Sequence, residues 1–104
     1  MNMNGCKIET MEKQVDLMEN GMADARHYFS IKGERFKVET IFGYSGSSVS
    51  GFTLDAWDKG WNTVRFFPSP AGSSKFKTTK EAKTAIEPGM KKVEAFALKF
   101  AGCD

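Results

Sequence analysis

The sequence predicts a single α+β domain over residues 1–104: an N-terminal helix, an antiparallel sheet of about four strands in two hairpins, and a C-terminal helical tail packed on one sheet face. Three observations lead there. Residues 27–67 alternate aromatic or β-branched side chains with polar ones, as half-buried strands do, and two tight-turn signals interrupt them. Directly afterwards Thr78 and Glu81 form a capping-box pair at the start of a helical pattern. A length of 104 residues suits one core, to which nine Phe, two Trp and two Tyr contribute large side chains.

Ile8, Met11, Val15, Met18 and Met22 recur at spacings of three and four, which predicts an amphipathic helix over residues 7–19 ended by Asn20-Gly21. The same dipeptide also suits a hairpin turn between residues 14–19 and 22–27, and the two readings compete. A first hairpin follows over residues 28–42, with a type II′ turn at Gly33-Glu34 that sets Ile31 opposite Phe36 and Phe29 opposite Val38. Residues 43–51 (GYSGSSVSG) hold three Gly and four Ser and make a connector. The second hairpin joins residues 52–57 to 61–67 around Asp58-Lys59-Gly60, a bulged three-residue loop. Its return strand is apolar on both faces, so it is either covered twice or carries a binding surface. Proline at 68 and 70 ends the sheet. The helical tail has Ala82, Ala85 and Ile86 inward, is broken or kinked at Pro88-Gly89, continues with Met90, Val93, Phe96, Ala97 and Phe100 on one stripe, and closes at Gly102.

The net charge of +2 is too small to announce a nucleic-acid or membrane partner. Six basic residues face seven acidic ones in residues 1–52, and nine face six in the remainder; four lysines lie in residues 75–83. No apolar run reaches membrane-spanning length and no leader pattern opens the chain, so an intracellular, cytoplasmic protein without a membrane partner is expected. Cys6 and Cys103 lack a Cys-x-x-Cys or His neighbour and so predict no metal site. A bond between them would close nearly the whole chain but would not persist in a reducing cytosol, which makes two unrelated thiols the expectation.

No set of residues announces catalysis. The single histidine, His27, has no nucleophile or acid at a recognised spacing and is expected at the surface or an edge. Asp58 is explained by turn chemistry, and the Gly/Ser connector lacks the lysine and following helix of a phosphate-binding loop. Neither catalytic residues nor a cofactor are therefore expected. Trp57, Lys59, Trp61 and Arg65 gather at one hairpin, with Tyr44 near by, and these residue types dominate interface hot spots. The predicted function is a small non-enzymatic protein that occupies a macromolecular partner's surface, as accessory factors and phage-type inhibitors of host machinery do. A protein partner is expected first; burial of strand 61–67 across a homodimer is a further option.

The alternative is nucleic-acid binding through the sheet and residues 75–83, using Arg65, Lys75, Lys77, Lys80 and Lys83. The segment from Trp61 to Ala85 (WNTVRFFPSPAGSSKFKTTKEAKTA) resembles the last strand, turn and helix start of AP2-like and arm-type integrase DNA-binding domains, over about a quarter of the chain. It departs from them in its long Pro-Gly-Ser turn, the expected extra N-terminal helix and the Pro88-Gly89 break. The resemblance implies a sheet entering a DNA major groove, with Arg65, Lys75 and Lys77 as contacts.

Overall fold

Five antiparallel strands form a meander in which every strand pairs with its sequence neighbour, and one helix crosses a single face. The structure is a computed structural model and describes residues 5–42, 50–69 and 74–103. The strands are β1 (Glu9–Leu17), β2 (Ala23–Ile31), β3 (Glu34–Ile41), β4 (Gly51–Trp57) and β5 (Trp61–Pro68), and the helix is α1 (Thr79–Phe100). No helix is long and apolar enough to cross a membrane among the described residues.

The N-terminal segment is a strand, not the expected helix, so the sheet has five strands rather than four. β1 pairs along the whole of β2, which places Val15 and Leu17 against the core, while Met11 occupies a bulge between Thr10 and Glu12. The competing hairpin reading therefore holds, although its loop is longer than Asn-Gly. Met18 N–H donates to the Met22 carbonyl and Gly21 N–H to the Met18 carbonyl, and Asn20 Oδ1 accepts from Met22 N–H. Regular apolar spacing lost to cross-strand pairing because a strand at this position finds a partner for its backbone along one whole side.

The first hairpin turns at Lys32-Gly33, not Gly33-Glu34. Both residues have positive φ, 55° and 81°, which makes the turn type I′ and pairs Ile31 with Glu34 and Phe29 with Phe36. Each residue meets a partner two positions from the expected one, so no side chain changes face. The predicted apolar face therefore survives the change of register. The second hairpin forms as expected, with Trp57 paired to Trp61 around Asp58-Lys59-Gly60.

The core lies between the sheet and α1, filled by Phe29, Ile31, Phe36, Val38, Phe52 and Leu54 from the strands and Ala82, Ile86, Met90, Val93 and Ala97 from the helix. Ala85, expected inward, is exposed. Thr78 caps the helix as predicted, its hydroxyl accepting from Glu81 N–H at 3.1 Å. Pro88 does not break α1, which runs unbroken for 22 residues. A β-carbon on Gly89 would stand 2.6 Å from Phe52 Cε2, so at the Pro-Gly step the helix packs directly on the sheet.

The helix ends in a Schellman motif: Cys103 N–H donates to the Leu98 carbonyl and Gly102 N–H to the Lys99 carbonyl. This turn presents Cys103 to Cys6, and the two form a disulfide. The expectation of two unrelated thiols is thereby corrected. Cys6, ahead of β1, and Cys103, just beyond α1, thus stand with their Cα atoms 5.7 Å apart.

Candidate functional site

The side of the sheet away from α1 carries an aromatic and charged cluster. Strand alternation sends Arg26 and Tyr28 of β2, Arg35, Lys37 and Glu39 of β3, Thr53, Asp55 and Trp57 of β4, and Trp61 of β5 to this open face. Trp57 and Trp61 meet edge to face with centroids 5.3 Å apart, a favoured geometry for aromatic pairs. Trp61 reaches across β4 and β3 to Tyr28, at 5.9 Å. The Arg35 guanidinium lies 4.5 Å from the Trp57 ring centroid and Lys37 Nζ 5.1 Å from that of Trp61.

Beneath Trp61, Lys37 Nζ lies 3.3 Å from Glu39 and 3.6 Å from Asp55 Oδ2, so one ammonium serves two carboxylates. Asp55 Oδ1 is buried without a hydrogen-bond partner among the described residues. A shallow groove of about 450 Å³ runs beside this cluster, lined by Met11, Glu12, Arg26, Tyr28, Arg35 and Trp61. The Met11 bulge in β1 gives the groove its outer wall, since it turns both Met11 and Glu12 towards Tyr28. Met11 and Trp57 are among the most exposed large hydrophobic side chains, at 59% and 43%, and Phe100, at 53%, shares a second hollow with Trp57 and Arg35.

The expected interface set is brought together only in part. Trp57 and Trp61 stand side by side, and Lys59 is at the tip of their hairpin. Arg65 is on the opposite face. A bulge at Val64 makes Leu54 pair with Arg65 while Asp55 pairs with Thr63, and Arg65 then lies over Phe67 and Phe96 on the helix side. Period-two counting from Trp61 would have left Arg65 on the open face, and the extra residue reverses it. Tyr44 lies outside the described residues.

Lys75, Lys77, Lys80 and Lys83 are exposed around the start of α1, where Lys75 forms an isolated bridge with Met22. The Trp57–Trp61 hairpin is near the other end of the helix, beside Phe100. A 22-residue helix separates the two regions by about 30 Å. The lysine segment and the aromatic cluster are thus separate surfaces.

His27 is not at the surface: it is 2% exposed, with Nδ1 2.8 Å from Glu94 Oε2 and Nε2 2.8 Å from Thr10 Oγ1. These three residues come from β2, α1 and β1, so the imidazole ties the edge strand and the helix to the sheet. Spacing along the chain gave no sign of it, because Thr10 and Glu94 are 17 and 67 residues from His27.

Tyr28, Arg35, Lys37 and Arg26 were missed as site residues. Each belongs to the polar half of an alternating strand, and only the strand order brings these halves onto one surface with Trp61. No protein-family model, no curated protein and no solved structure matches this chain. The likeness to AP2-like and integrase arm domains therefore rests on residues 61–85 alone.

Proposed function

We propose that this protein is a non-enzymatic binding domain that occupies the surface of a protein partner with the open face of its sheet. One observation carries the reading. The Trp57–Trp61 pair, extended by Tyr28 and stacked with Arg35, lies on the sheet face away from α1, with Trp57 exposed and Trp61 and Tyr28 half-buried, next to the exposed Met11 and Phe100. Trp, Tyr and Arg are the side chains most enriched in hot spots, and a pre-ordered aromatic cluster loses little freedom on binding.

The charge of this face favours protein over nucleic acid. Counted over the face, the cations Arg26, Arg35 and Lys37 are equalled in number by the acids Glu12, Glu39 and Asp55, whereas binding to a phosphate backbone draws on a net excess of cations. The lysines of residues 75–83 supply such an excess, but on a separate surface. An inhibitor or adaptor of a larger assembly is the form of activity this size and surface suit.

The disulfide bears on the compartment. A bond of this kind persists in oxidising surroundings and is reduced in most cytosols, so we place the working protein in an oxidising compartment in preference to the cytoplasm.

The test is affinity capture from a native lysate with nuclease and at two salt concentrations, comparing the wild-type protein with Trp57→Ala and Trp61→Ala. A stoichiometric protein that resists nuclease and salt, and is lost with either substitution, supports the reading. Retention by both variants, or recovery only of nucleic acid, overturns it.

A further inference from the structure

We propose that the open-face groove takes an extended, acidic peptide segment of a protein partner, with an aromatic side chain on the Tyr28–Trp61 floor and a carboxylate at each of Arg26 and Arg35. The inference rests on the reading of the open face as a binding surface and adds the chemistry of what it binds.

The charges within the groove point to an acidic ligand. Lys37 pairs with Glu39 and Asp55, and neither carboxylate is in ion-pair contact with an arginine. Among the described residues neither Arg26 nor Arg35 has an ion pair, although both line the groove. Glu12 is the one acid in the lining, set against two guanidinium groups. Guanidinium forks bind carboxylates in a bidentate fashion, and a site with two of them on an aromatic floor is complementary to acids flanking an apolar group.

The spacing narrows the ligand. Arg26 pairs with Glu39, Tyr28 with Lys37, and Ser30 with Arg35, so the two arginines flank Tyr28 four strand positions apart. At about 3.4 Å per residue, that separation is about 14 Å along the strand. An extended peptide places residues i, i+2 and i+4 on one side with the same spacing. The groove therefore reads the pattern acid, any, aromatic, any, acid.

Selection from a displayed random-peptide library against the whole disulfide-bonded protein tests this. Peptides of that pattern are expected to be enriched, to bind wild-type protein at least tenfold more tightly than versions with lysine for each acid, and to weaken at least tenfold with Arg26→Ala plus Arg35→Ala. The lysine-substituted peptides are measured on unaltered protein, so that comparison stands even if the double variant folds poorly. Enrichment of basic or uncharged peptides that need Trp61 but neither arginine overturns the acidic assignment and leaves the face as a binding surface. Peptides indifferent to Trp57→Ala, Trp61→Ala and the arginine pair overturn both. A single-stranded oligonucleotide that displaces the peptides and needs Arg26 and Arg35 more than they do overturns the peptide in favour of nucleic acid, and failure to enrich any peptide also overturns the proposal.

Discussion

Trp61 and Tyr28 touch across the open face, their rings 5.9 Å apart, although their strands β5 and β2 are separated by β3 and β4. An indole that reaches over two intervening strands lies against Lys37, whose ammonium is 5.1 Å from the ring centroid, and makes a continuous aromatic surface from the hairpin to the middle of the sheet. The contact with Lys37 and the continuity of the aromatic surface are thus two results of one side-chain placement.

Trp57→Ala removes the half-exposed ring and leaves the Trp61–Lys37 contact in place. It is expected to cost under about 1 kcal/mol of stability, as surface substitutions usually do. Trp61→Ala removes the ring that lies against Lys37 and is expected to cost more, about 1 to 2 kcal/mol. Urea titration of the two variants checks the order, and equal losses would contradict the packing role of Trp61.

The Cys6–Cys103 disulfide closes a loop with a sequence separation of 97. Loop-closure entropy assigns about 4 to 5 kcal/mol to such a crosslink. Reduction, or Cys103→Ser, is expected to lower the denaturation midpoint by a corresponding amount. A midpoint unchanged by reductant would show that the bond contributes nothing to folding.

His27 joins three elements while almost fully buried, whereas Lys13–Glu87 joins β1 to α1 with both side chains about 30% exposed. His27→Ala leaves Glu94 and Thr10 without their partner and is expected to cost about 2 to 4 kcal/mol. Lys13→Ala is expected to cost under about 1 kcal/mol, because exposed ion pairs contribute little. Chemical denaturation of both variants gives the comparison, and similar losses would contradict it.

Gly89→Ala sets a gain in helix propensity of about 1 kcal/mol against a clash with the buried ring of Phe52. Overpacking of this kind costs about 1 to 3 kcal/mol, so a net loss is expected. Thermal unfolding reads the sign directly: a higher Tm would mean that the helix and sheet are less tightly apposed than described.

Much of the fold is legible in the sequence, and the failures have definite physical causes. Phe29, Ile31, Phe36 and Val38 disclose a buried face by alternation alone, and Thr78 with Glu81 discloses the helix start. The N-terminal segment misleads because Ile8, Met11, Val15 and Met18 fit a helix locally, while the pairing that makes residues 9–17 a strand is with residues that follow the turn. Pro88 misleads because propensity says nothing about the close packing of the neighbouring Gly89 on Phe52. At the site, Trp57 and Trp61 are visible as a hairpin pair. Arg65 is misplaced by a single bulge, and Tyr28 and Arg35 become part of the cluster only once the strand order is known.

The most direct test of the open face as the binding surface is a titration of the captured protein partner against Trp61→Ala and against Lys75→Ala, Lys80→Ala and Lys83→Ala combined. If the open face is the binding surface, a loss of at least about 2 kcal/mol, roughly thirtyfold in affinity, is expected for the tryptophan and less than fivefold for the lysines. A loss concentrated in the lysines, with Trp61→Ala binding as the wild type does, would contradict it.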